Sequence, residues 1–65
     1  MINNFIWKKL KALERKYNLI IRYEEIRIQK GLYTYKFYVY QNNGKFEFKA
    51  DNYDELQSTL KMYYD

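Results

Sequence analysis

The run Tyr33-Thr34-Tyr35-Lys36-Phe37-Tyr38-Val39-Tyr40 alternates with a period of two and is built from aromatic and β-branched residues. That composition favours a pleated strand over a helix. Tyr33, Tyr35, Phe37 and Val39 form the more apolar side and point to a core. Thr34, Lys36, Tyr38 and Tyr40 share the other side, where a cation lies among phenols. The run reads as the central strand of a small sheet, with one face for packing and one free for contacts.

Two shorter runs supply its neighbours. Leu19 to Ile28 favours strand, but Leu19, Ile21 and Tyr23 share one parity and Ile26 and Ile28 the other. A bulge at Glu24-Glu25 is expected to turn all five inward and so avoid burying charges. Gln29-Lys30-Gly31 closes the first hairpin, with Gly31 able to take a positive φ. Gln41-Asn42-Asn43-Gly44 closes the second, since Asn-Gly between alternating runs is a strong hairpin signal. The third strand, Lys45 to Ala50, is expected to put Phe46, Phe48 and Ala50 inside and Lys45, Glu47 and Lys49 outside.

Helices flank the sheet. Asn3 or Asn4 can cap a helix reaching about Tyr17, because an Asn side chain accepts from first-turn amides. Ile6, Leu10, Leu13 and Tyr17 fall on one face of it, with Phe5 and Trp7 beside that stripe. Lys8, Lys11 and Arg15 lie opposite. Asn18 suits the helix end, since Asn tolerates the left-handed conformation. Asn52 followed by Glu55 has the form of a capping box for a second helix, with Tyr53, Leu56, Leu60 and Tyr63 inward and Asp54, Ser58, Lys61 and Met62 outward. Residues 1–65 therefore read as one small α+β domain of order α-β-β-β-α: a three-stranded antiparallel meander with both helices packed on one face.

Function is narrowed mainly by what is missing. The chain has no Cys and no His, so disulfides and the usual zinc, copper and haem ligand sets are excluded and no cofactor is expected. Ser58 is the lone serine, and the two glycines are isolated from each other. A nucleophile-plus-base constellation would have to use Lys or a carboxylate as its base, no phosphate-cradling Gly-rich loop is present, and no enzyme is expected. No apolar run approaches the ~20 residues of a membrane span, and Lys8-Lys9 follow Ile6-Trp7 where a signal peptide would place them first. The expectation is a cytoplasmic protein that does not engage membranes.

The net charge is +4, unevenly spread: eleven Lys/Arg against four Asp/Glu through Lys49, then one Lys against four acids. A basic body invites phosphates or an acidic protein. Codon bias offers a plainer cause, because Lys, Asn, Ile, Tyr, Phe and Met, all encoded by AT-rich codons, make up 36 of the 65 residues. The candidate contact residues are Arg22, Arg27, Lys36, Tyr38, Tyr40, Lys45 and Lys49, expected together on the outer sheet face with Glu47 and one of Glu24 and Glu25. Cations there can meet phosphates and phenols can stack on unpaired bases. Tyr-Lys packing across a solvated sheet would produce the same pattern without a partner.

The order of elements resembles that of double-stranded-RNA-binding domains over the whole chain. In that family the second helix opens on a Lys-rich motif; here Asp51-Asn52-Tyr53-Asp54-Glu55 stands in its place, which argues against gripping duplex RNA in that way. Three strands followed by a helix also look like the amino-terminal DNA-binding domains of phage-type integrases, a resemblance that would make Lys36, Tyr38 and Arg27 readers of a major groove. The rival expectation is a host protein as partner, because the chain also looks like the small phage or mobile-element proteins that bind and inhibit or redirect a host enzyme. Tyr38 and Tyr40 would then anchor the contact, since Tyr and Arg are enriched at interface hot spots. A homodimer through an edge strand is compatible with either and is not legible in the sequence.

Overall fold

The computed structural model describes residues 4–65, with side chains from Ile6 onward. The elements are α1 (Asn4–Tyr17), β1 (Leu19–Gln29), β2 (Leu32–Gln41), β3 (Phe46–Ala50) and α2 (Tyr53–Tyr64). The strands form one antiparallel sheet in the order β1-β2-β3. This is the α-β-β-β-α arrangement expected from the sequence. The Asn3 alternative for the first cap and the flanking role of Phe5 lie outside the described residues and side chains.

The core lies between one sheet face and the two helices. Leu10 of α1 and Leu56 and Leu60 of α2 are buried with Leu19, Ile21, Phe37, Val39 and Ala50 from the strands. Each of these side chains other than Ala50 contributes roughly 1.5–3 kcal/mol by leaving water. Ile6, Leu13 and Tyr17 complete the α1 stripe as partly buried neighbours. Aromatic rings extend the core where aliphatics are few. Tyr53 meets Phe37 edge-on at 6.3 Å, and Tyr64 stacks on Phe48 at 6.1 Å.

The joints follow local chemistry. Asn18 takes φ 57° between α1 and β1, and the Asn42 side chain reaches across to donate to its backbone oxygen at 2.8 Å. Asn52 caps α2 by accepting from the Glu55 amide at 2.8 Å. In the second turn Gly44 donates to the Gln41 carbonyl and Gln41 donates to that of Lys45, both at 2.8 Å. With Gly44 at φ 92°, this is a three-residue loop with a left-handed glycine.

Three expectations are corrected. First, β1 has no bulge at Glu24-Glu25. It pairs regularly from Leu19 opposite Gln41 to Arg27 opposite Tyr33, and the register shifts only between Arg27 and Gln29. Ile26 therefore lies on the outer face, Ile28 is 60% exposed, and Glu25 and Arg27 share the helix-side face. The expected penalty for burying those charges does not arise, because both residues remain exposed on that face. The sheet is long enough for this: the molecule measures 36 × 21 × 20 Å.

Second, Phe46 points outward. It stands opposite Tyr40 while Phe48 stands opposite Val39, so Glu47 is an extra residue in β3. The Glu47 carboxylate accepts from Gln41 Nε2 and lines a groove with Phe48, Thr59, Tyr63 and Tyr64, placing it on the helix side. Third, Tyr63 is 73% exposed. Tyr64, through its stack on Phe48, fills the place expected for Tyr63.

Candidate nucleic-acid interface

Because Phe37 and Val39 turn toward the helices, the alternate residues of β2 emerge on the opposite side. Cross-strand pairing then assembles that outer face in rows. Arg22, Tyr38 and Lys49 form one row across all three strands. Ile20, Tyr40 and Phe46 form the row beside it, and Glu24 with Lys36 the row on its other side. Neighbours in a row are about 4.8 Å apart along the hydrogen-bonding direction, and successive rows about 7 Å apart along the strands.

Two contacts fix the rings. The Tyr40 and Phe46 centroids are 5.6 Å apart with planes at 68°, an edge-to-face pair. The Tyr38 hydroxyl donates to Glu24 Oε1 at 2.9 Å. That hydrogen bond, with smaller contributions from desolvation and from the charge on Glu24, raises the Tyr38 pKa above its ordinary value. The phenol stays neutral and its ring is held beside Arg22 and Lys49. Tyr38 and Tyr40 are half-buried in the pleated surface, whereas Phe46 is 50% exposed.

Five of the seven residues singled out in the sequence, Arg22, Lys36, Tyr38, Tyr40 and Lys49, come together on this face. Lys45 does not sit in the strand. It occupies the connection before β3, where its amide donates to Asn43 Oδ1 at 2.9 Å. Arg27 falls on the opposite face of the sheet, because the bulge that would have turned it outward is absent. Of the two acids left open, Glu24 is the outward one, directly across from Lys36. The sequence reading missed Phe46. The signal was the Asn43-Gly44 turn: a left-handed glycine in a three-residue loop adds a residue and inverts the phase of the strand that follows.

Three cations, one acid and a line of rings thus occupy the sheet face that neither helix covers. Among the described residues, no group of three or more carboxylates or other ligating side chains is placed to hold a metal ion, and no helix is long and apolar enough to cross a membrane. Comparison with protein-family models, curated proteins and solved structures gave no match.

Proposed function

We propose that this domain is a non-enzymatic binding module that takes single-stranded nucleic acid across its outer sheet face. The observation that carries the reading is the Arg22–Tyr38–Lys49 row lying against the Tyr40–Phe46 ring pair. Rings set in a sheet offer unpaired bases a stacking surface, and the cations flanking them can follow the phosphates. A single strand is favoured over a duplex because paired bases hide their faces. The exposed Asp51, Asp54 and Glu55 at the start of α2 also repel a duplex docking there.

The test is a titration of labelled single-stranded and duplex DNA and RNA at two salt concentrations. Single strands are expected to bind more tightly than duplexes, and binding should weaken as salt rises. Tyr40→Ala or Phe46→Ala should cost about 1–3 kcal/mol per lost base stack. Lys49→Gln should lower the salt slope by about 0.7, the value for one phosphate contact on a single strand. Absence of binding at low salt, where a basic chain has every electrostatic advantage, would overturn the proposal and direct the search to a protein partner for the same face.

A further inference from the structure

A cleft opens where α1 passes the free edge of β1. Its lining includes Trp7, Lys11, Glu14, Ile21, Arg22 and Tyr23, and its volume is about 240 Å³. A cavity of ~150 Å³ already accepts a benzene ring. Two rings supply apolar wall, Trp7 at 48% and Tyr23 at 43% exposure. Both are braced: Lys11 Nζ lies 5.6 Å from the Trp7 ring centroid, and Tyr23 meets Tyr35 edge-on at 6.1 Å. Rings fixed in this way and left half in water offer a planar ligand a surface to stack on.

The polar groups of the cleft suit an unpaired base. The Ile21 amide points to the open side of β1, donating to Glu14 Oε2 at 2.8 Å. Alternation along an antiparallel strand turns the N–H and C=O of Tyr23 to that side as well. A donor and an acceptor therefore stand together at the cleft, as the hydrogen-bonding edge of a base requires. The charge on Glu14 is taken up by the Ile21 amide and by Lys11 Nζ at 3.3 Å. A second groove shares Trp7 and Lys11 and adds Lys8, Ala12 and Arg15, with no acid in its lining.

We infer that the single strand bound on the outer face turns over the edge of β1 at Arg22, stacks one base against Trp7 in this cleft, and runs its phosphates past Lys8 and Arg15. Arg22 makes the link, because it stands in the outer row with Tyr38 and Lys49 and also lines the cleft. Lys8 and Arg15 are exposed and lie about 10 Å apart along the axis of α1. An added peptide strand fits this place less well, since Glu14 already holds the Ile21 amide. The inference rests on the outer-face reading and gives the same strand a second stacking position.

Trp7 is the only tryptophan of the chain, so its emission reports on this cleft, while a dye on the oligonucleotide reports binding anywhere. Single-stranded oligonucleotides of about 16 nucleotides, the upper end of site sizes on small single-strand-binding folds, should quench Trp7 in step with the dye signal. Trp7→Ala should weaken binding about tenfold, as loss of one base stack does, and Trp7→Phe should recover most of that by keeping a ring. Arg15→Gln should lower the salt slope by about 0.7; it carries the test if Trp7→Ala does not fold. Strands that bind without changing Trp7 emission, or that bind Trp7→Ala as tightly as the parent, would overturn the inference and leave the outer-face reading standing. No binding by either signal would remove both.

Discussion

The carboxylate of Glu14 accepts a hydrogen bond from the backbone amide of Ile21 at 2.8 Å, tying α1 to the open edge of β1. Glu14 also receives Lys11 Nζ at 3.3 Å, and its side chain is only 19% exposed. The amide would otherwise lie part-buried without an acceptor. Glu14→Ala should therefore cost about 1–2 kcal/mol in urea unfolding, since an unsatisfied donor loses its solvation. Glu14→Gln keeps an acceptor oxygen and should retain more of that stability. Equal losses for the two variants would refute the role given to the oxygen.

The second turn makes a separate prediction. Gly44 adopts φ 92° with nothing within 4 Å of where a Cβ would stand. Any cost of Gly44→Ala is thus one of backbone conformation, not of collision. It should be about 1 kcal/mol, with Gly44→Asn cheaper because Asn tolerates positive φ. Thermal unfolding of the two variants checks the order; an Ala variant as stable as the parent would remove the strain argument.

These joints explain how far the sequence could be read. Period-two and helical spacing located all five elements, and the polar joints at Asn18, Gly44 and Asn52 behave as their chemistry suggests. Which face each strand residue takes was harder, because one residue gained or lost in a ladder inverts everything after it. The Gly44 loop inverted Phe46, and the extra residue Glu47 restored Phe48 and Ala50 to the core. In β1 the error ran the other way. No bulge is needed to keep Glu25 and Arg27 out of a core, because the hairpin is long enough to leave them exposed. Five of seven candidate residues still converged, since the phase of β2 was set unambiguously by Phe37 and Val39.

Several phenols are held neutral by the fold, which sets its behaviour in alkali. Burial raises the pKa of Tyr35, Tyr53 and Tyr64, with Glu25, Asp54 and Glu47 respectively adding to it. For Tyr38 the hydrogen bond to Glu24 comes first. A folded pKa above the unfolded value means that the native state binds more protons, so stability falls as pH rises. The contribution is fully present below the ordinary phenol value of about 10 and is lost on passing through the raised values. The unfolding temperature should change little on this account between about pH 7 and 9 and then decline from about pH 10 upward. Tyr38→Phe should soften that decline; an unfolding temperature that climbs above pH 10 would contradict the assignment.

The acid on the outer face gives the sharpest prediction about binding. Glu24 stands across from Lys36 and accepts from Tyr38, so it opposes phosphate at the middle of the proposed surface. Removing its charge with Glu24→Gln should tighten single-strand binding at low salt by about 0.5 kcal/mol, roughly two- to threefold, for charges several ångströms apart in water. The gain should shrink toward zero as salt screens it. Lys36→Gln should shift affinity in the opposite direction. Tyr38→Phe keeps the ring for stacking while releasing the Glu24 carboxylate, so it should not reproduce the gain of Glu24→Gln. These signs separate a phosphate-facing surface from a protein hot spot, where losing a buried hydrogen-bonded acid weakens the complex. Weaker single-strand binding by Glu24→Gln would show that the phosphates do not pass over this row.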